Sequence, residues 1–169
     1  MDHRMEHRGH QKFLALVRTF SEENKRDDGG RSIPEFWTEC YENDLIEPMK
    51  RLRREGDVYV YGLCRSLEER KRYFHYAIGV LLAEDADEAQ LERFLAGGYS
   101  LWETEPSDYA VFQCIGPDEK CLHEIWSKFF GEFSPATGYR HTGDTDFERY
   151  PEPEEDGLFC ELWIPVKKN

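Results

Sequence analysis

The sequence predicts a single α+β domain in which two similar halves share one mostly antiparallel sheet. Three observations support this: the length of 169 residues suits one domain, aromatic and β-branched runs of strand length recur, and two amphipathic segments of helix length separate them. Each half has the order strand, helix, strand, strand, and each predicted helix carries a tryptophan, Trp37 or Trp126. About seven strands with two long helices on one face would leave a central cleft where the halves meet.

The first half begins with "KFLALVRTF" from Lys12, which predicts a strand, followed by the polar loop "SEENKRDDGG". A helix is predicted next because Ser32 and Glu35 have the spacing of a capping box. Pro48 is expected to kink or divide this helix, since proline cannot donate the backbone hydrogen bond. The runs "DVYVYGLC" and "YFHYAIGVLLAE" then predict a hairpin.

The second half begins after the acidic stretch "EDADEAQLERFLAGG", which we interpret as a solvated loop with one helical turn. Two strands broken at Pro106 follow, and "PDEKCLHEIWSKFFGEF" predicts the second helix. Phe112, Trp126 and Phe129 are assigned to the core. The last two strands, "DFERY" and "LFCELWIPV", are separated by the Pro-rich, acidic "PEPEEDG".

The charge of the chain limits the partners that it can attract. Lys and Arg number 22 against 35 Asp and Glu, so the formal net charge is −13. A charge of this sign repels phosphate backbones and anionic lipids, which argues against direct nucleic-acid or membrane binding. No apolar run reaches 18 residues and no signal peptide is recognisable, so we expect a cytoplasmic protein with a polar N-terminal tail over residues 1–11 and one domain over residues 12–169.

Neither a metal nor a cofactor is expected. The five cysteines are odd in number, widely spaced and set in apolar segments, which predicts reduced thiols. Three histidines lie in the N-terminal segment, and a polar terminus explains them more simply than a metal site.

Glu148 and Glu161 stand out because each is surrounded by aromatic residues inside a predicted strand. If the last two strands pair, both carboxylates can point to one side, where burial would raise their pKa values and a cation would relieve the cost. Two simpler interpretations remain open. Glu148 could form an ordinary ion pair with Arg140, Arg149 or Lys167, and Glu161 could lie on a solvated face.

The ordered segments "IPEFW", "YFHYAIGV", "SDYAVFQCIGP", "EIWSKFFGEFSPATGY", "DTDFERY" and "CELWIPVKK" resemble the GyrI-like family, the bacterial transcription activator effector-binding domain found in AraC-type and multidrug-sensing regulators. The resemblance runs from about Phe13 to Lys168. It implies two pseudo-symmetric halves around a central cleft for small molecules. Family members that bind many drugs receive lipophilic cations on cleft carboxylates and aromatics, which by motif position correspond here to Glu148 and Glu161. The resemblance further implies that the ligand-binding site includes Tyr61, Tyr76, Trp37 and Trp163.

Three functions follow from the resemblance and the residues. The first is a non-catalytic binder of lipophilic cations or aromatic compounds, acting as a sensor, sequestering protein or effector module of a transcription regulator. The second is a hydrolase of cyclopropane-type electrophilic genotoxins, in which Glu148 or Glu161 would donate a proton or direct a water and Tyr76 would assist. The third is a gyrase-inhibitor-like interaction module. Because no tandem-helix DNA-binding unit is recognisable, any regulatory action is expected to require a separate protein partner.

Overall fold

The computed structural model describes residues 1–169 and confirms an α+β fold. The elements are β1 (Arg4–Arg8), β2 (Gln11–Ser21), α1 (Ile33–Glu42), a 3-10 helix (Glu47–Leu52), β3 (Tyr59–Ser66), β4 (Tyr73–Leu81), α2 (Glu88–Ala96), β5 (Ser100–Thr104), β6 (Ser107–Ile115), α3 (Lys120–Lys128), a π-helical segment (Phe129–Phe133), α4 (Ser134–Thr137), β7 (Tyr139–His141), β8 (Asp146–Pro151) and β9 (Leu158–Lys168). None of the helices has both the length and the apolar character that crossing a bilayer requires.

All nine strands form one antiparallel sheet in the order β1-β6-β9-β8-β3-β4-β2-β5, with β7 alongside β9. The first half supplies β2, β3 and β4, the second supplies β6, β8 and β9, and the two halves join where β3 pairs with β8. The predicted hairpin of β3 and β4 is present, as is the break at Pro106 between β5 and β6.

The two faces of the sheet bury different sets of side chains. On one face the sheet curls around an aromatic cluster, so that Trp102 of β5 and Tyr109 of β6 belong to the same core although their strands are far apart in the sheet order. We call this the enclosed face. The other face is covered by helices: α1, α2 and the 3-10 helix contribute to one apolar cluster, and α3 with the π-helical segment contributes to a second. A cleft remains between α1 and α3.

The start of α1 follows directly from the local sequence. The Ser32 hydroxyl accepts a hydrogen bond from the Glu35 backbone N–H, and the Glu35 carboxylate accepts one from the Ser32 backbone N–H. This capping box satisfies two backbone donors at the helix start. The helix ends at Glu42, and Pro48 lies in the separate 3-10 helix, so the predicted division of the helical segment is confirmed.

Two segments differ from the sequence prediction. The acidic stretch expected as a loop forms helix α2, because Asp87 accepts hydrogen bonds from two backbone N–H groups at its start and Leu91 and Phe94 pack on the core. Residues 4–8, expected within a polar tail, form the edge strand β1 on β6. Arg4 and Arg8 of this strand lie against the ring of Trp163, and an edge strand tolerates such charges.

The cysteine prediction also needs correction. Cys114 at the end of β6 and Cys121 in the first turn of α3 form a disulfide, with 5.3 Å between their Cα atoms. The tight connection between β6 and α3 brings them together, although seven positions separate them in the sequence. Cys40, Cys64 and Cys160 are free thiols, as expected.

Candidate functional site

The cleft between α1 and α3 contains a cavity of about 1120 Å³. Helix α1 lines one wall with Trp37 and Tyr41, and α3 lines the other with Leu122 and Trp126. Trp126, assigned to the core from its position in the apolar stripe, therefore faces the cavity and is only partly buried. The core assignments of Phe112 and Phe129 are confirmed.

Glu148 lies at the floor of the cavity, where β8 meets β3 in the centre of the sheet. The hydroxyls of Tyr76 and Tyr150 both donate to its Oε1 atom at 2.8 Å. The indole N–H of Trp37 donates to the Tyr76 hydroxyl oxygen at 2.9 Å. The wall of the cleft is thus connected to the floor by a continuous hydrogen-bond chain that fixes the orientation of the carboxyl group.

The surroundings of Glu148 favour its neutral form. Burial raises the pKa of Glu148 to about 7, the two tyrosine hydrogen bonds oppose this shift, and the charge of Asp146 on the same face of β8 reinforces it. No Lys, Arg or His forms an ion pair with Glu148, so the simple ion pair considered from the sequence is absent. A carboxyl group that is half ionised near neutral pH is available for a positively charged ligand.

Gly62 of β3 makes room for this arrangement. It lies directly opposite Glu148 in the sheet. A Cβ atom at this position would overlap the Tyr76 hydroxyl and would lie 2.9 Å from Glu148 Oε1. Only glycine therefore allows the hydroxyl of Tyr76 to reach the carboxyl group across β3.

The structure corrects the expectation that Glu148 and Glu161 converge. Strands β8 and β9 do pair, but Glu148 lies opposite Leu162, whereas Arg149 lies opposite Glu161. Because neighbouring residues of a strand face opposite sides, this register places the two carboxylates on opposite faces of the sheet. Glu148 is on the helix-covered face, and Glu161 is on the enclosed face.

Glu161 is held by two arginines. Its carboxylate oxygens accept hydrogen bonds at 2.6 Å from Arg4 of β1 and from Arg149 of β8. Burial alone would raise the pKa of Glu161, but the hydrogen bonds and charges of the two arginines outweigh it, and the pKa lies below its ordinary value. This group is an ionised structural partner that does not line the cavity.

Trp163 and Tyr61 also lie on the enclosed face. Trp163 is fully buried and stacks on Phe147, with 5.3 Å between the ring centroids. Tyr61 is 3% exposed and donates its hydroxyl to Asp57 at 2.8 Å. Of the six residues that the sequence and the resemblance suggested, the structure gathers Glu148, Tyr76 and Trp37 at the cleft and places Glu161, Trp163 and Tyr61 on the far side of the sheet.

Several residues of the site were not selected from the sequence. Tyr150 donates to Glu148, and its ring lies 5.0 Å from that of Trp37 and 5.4 Å from that of Phe159. Strand alternation gave a signal for Tyr150, since it shares a face of β8 with Glu148. For Tyr41 and Gly62 no local signal exists, because their roles depend on how α1 and β3 pack against β8.

We expect Gly62→Ala to destabilise the fold by about 1–3 kcal/mol, because the added methyl group must displace the Tyr76 hydroxyl. Gly131→Ala is the matched control, since a Cβ atom there has no heavy atom within 4 Å. Urea denaturation of both variants measures the difference. Equal stability of the two would contradict the close approach of Tyr76 to β3.

Solved structures with the same fold span almost the whole chain. SAV2435, solved with bound tetraphenylphosphonium, has a TM-score of 0.77 at 20% identity, covering 99% of this chain and 94% of that one. The EcmrR C-terminal domain has a TM-score of 0.65 at 11% identity, with 99% and 98% covered. An integron cassette protein from the mobile metagenome of Vibrio cholerae has a TM-score of 0.62 at 15% identity, with 98% and 95% covered. At these identities the similarity establishes the fold alone.

No curated protein matches the chain in sequence. The family model for Cass2, described as integron-associated effector binding protein, does match, and the match covers residues 11–166. It therefore includes every element from β2 to β8, most of β9 and every residue of the cleft named above. The chain belongs to the Cass2 family of integron-associated effector binding proteins, which confirms the GyrI-like resemblance of its sequence.

Proposed function

We propose that this protein binds lipophilic organic cations in the cleft between α1 and α3, with Glu148 as the counter-ion. One observation supports this above all: a carboxyl group at the floor of an aromatic-walled cavity has hydroxyl donors but no cationic partner. An ionised carboxylate in such a place is costly unless a positive charge approaches it. A ligand cation would supply that charge.

The walls suit the apolar part of such a ligand. Trp37 and Trp126 lie on opposite helices and both line the cavity, and Tyr41, Tyr150 and Phe159 add further aromatic surface. Each aromatic ring that a desolvated cation contacts contributes roughly 0.5 to 2 kcal/mol. Because ring faces accept many shapes, we propose broad rather than narrow selectivity. Tetraphenylphosphonium, which SAV2435 binds, is a cation of this kind.

Tyr76 has a positioning role in this proposal. It does not line the cavity. Its hydroxyl donates a hydrogen bond to Glu148 and accepts one from the indole N–H of Trp37. Movement of Trp37 on ligand entry would therefore act on the carboxyl group through Tyr76. This coupling supports the further proposal that the protein serves as a sensor or sequestering module, or as the effector module of a regulatory partner protein.

Replacing each glutamate separately tests the site. Titrated with a fluorescent cationic dye, Glu148→Gln is expected to weaken binding at least about tenfold at pH 8, because the ligand loses its counter-ion. Glu161→Gln is expected to lower the Tm by leaving Arg4 and Arg149 without their carboxylate, while the folded protein keeps its dye affinity. Unchanged binding by Glu148→Gln would overturn the assignment.

Binding should also depend on pH. With the pKa of Glu148 near 7, the ionised fraction falls about tenfold per pH unit below that value. Affinity for a permanently charged cation should therefore rise at least about tenfold between pH 5.5 and pH 8.5, measured by calorimetry. The Glu148→Gln variant should have a flat profile, and a flat wild-type profile would exclude titration of this group.

Hydrolysis of an electrophile is the second candidate function, favoured by the raised pKa of Glu148, which suits a general acid. If the protein only binds its ligands, no hydrolysis of the electrophile is expected. Incubation with an activated cyclopropane, followed by chromatography, should give no more hydrolysed product than buffer alone. Multiple turnovers that Glu148→Gln abolishes would instead identify an enzyme.

A further inference from the structure

One end of the cleft carries carboxylates that have no structural partner. The segment between β8 and β9 places Glu154, Glu155 and Asp156 at the edge of the cavity, and we call these three residues the acidic rim. All three are exposed and none takes part in an ion pair. The neighbouring Glu152 differs, because Lys50 at 2.8 Å and Arg53 at 2.9 Å neutralise it.

The acidic rim lies at a defined end of the cleft. Tyr41 of α1 lines the same cavity, and its pKa is raised first by burial and further by the charges of Glu152 and Glu154. A hydrogen bond of 2.9 Å from the Gly116 N–H to the Gly157 carbonyl joins the connection before α3 to the same end. Six carboxylates and a single lysine, Lys25, line the cavity as a whole.

Glu148 forms a second negative centre, deeper in the cleft and separate from the rim. Trp37, which reaches Glu148 through Tyr76, precedes Tyr41 by four residues, or about 6 Å along a helix axis. Glu148 and Glu154 are six residues apart, which limits their separation to about 20 Å in an extended chain. The Cα atoms of Glu148 and Glu154 are therefore no more than about 20 Å apart, a distance that an elongated ligand can span.

The carboxyl group of Glu148 has a free acceptor atom. Both tyrosine hydroxyls donate to Oε1, and Oε2 accepts no hydrogen bond. The same cavity is lined by apolar and aromatic side chains, among them Tyr41, Leu122 and Phe159. The volume of about 1120 Å³ exceeds the roughly 300–1,000 Å³ of an ordinary ligand pocket. A single compact cation would leave the rim and much of this volume unused.

We propose that the cleft prefers elongated dications, with one positive group at Glu148, the second at the acidic rim and an apolar linker along the aromatic walls. The preference rests on the proposed function, since it requires that a cation binds at Glu148. The rim charges are solvated, so their contribution is screened by salt, whereas that of the deeper site is screened less. Dication preference should therefore decline with ionic strength while binding at Glu148 persists.

The test compares two ligands of matched size by calorimetry. The dication is decane with a quinolinium at each end, and the monocation has the same chain with one quinolinium replaced by naphthalene. We expect wild-type protein to bind the dication at least about tenfold more tightly at low salt. The variant Glu154→Gln/Glu155→Gln/Asp156→Asn should bring the two ligands within about twofold of each other, with little change for the monocation.

A charge-matched variant distinguishes a local effect of the acidic rim from general electrostatic attraction by the net negative charge of the protein. Glu68, Glu69 and Asp85 are exposed and do not line the cavity, so Glu68→Gln/Glu69→Gln/Asp85→Asn removes the same charge elsewhere. It should keep the full dication preference, and loss of the preference in this variant would overturn the role of the rim. Equal wild-type affinity for both ligands, with Glu148 still required, would overturn the dication preference alone. Failure of both ligands to bind would overturn the proposed function with it.

Discussion

The opposite orientation of neighbouring strand residues is the constraint on which this molecule depends. Along β8, Glu148 faces the helices while Arg149, the next residue, faces the enclosed core. The same alternation through all the central strands gives the sheet one face that closes around aromatic rings and another that the helices cover incompletely. The cleft exists because α1 and α3 pack on separate halves of that second face, and the junction between β3 and β8 becomes its floor.

Glu148 and Glu161 are stabilised in different ways, and this difference separates structure from function. Glu161 is compensated by two guanidinium groups, which keep it ionised. Glu148 is compensated only by hydroxyl groups, which orient a carboxyl but do not neutralise it, and its pKa rises to about 7. A carboxylate that is paired with arginines is already neutralised within the fold. A carboxylate at a cavity that has no cationic partner would be stabilised by a bound cation.

Local signals predicted much of the fold. The capping box at Ser32, the interruption near Pro48 and the β3–β4 hairpin depend on residues close together in sequence, and each is present. The wrong predictions concern segments whose structure depends on contacts between residues that are far apart in the sequence. Helix α2 was missed because its acidic composition resembles a loop, although Leu91 and Phe94 anchor it to the core. Strand β1 was missed because its arginines are stabilised by Trp163, far away in the sequence.

The sequence by itself determined most of the element types, the resemblance to the effector-binding family and the importance of Glu148, because these depend on residue types and short-range spacing. Tertiary structure alone decided that Glu161 pairs with Arg4, 157 positions away, and that Gly62 leaves space for Tyr76. Strand register is the physical reason. Shifting one strand by a single residue exchanges its two faces, and the register of β8 against β9 is set by packing on both sides of the sheet, which no single segment encodes.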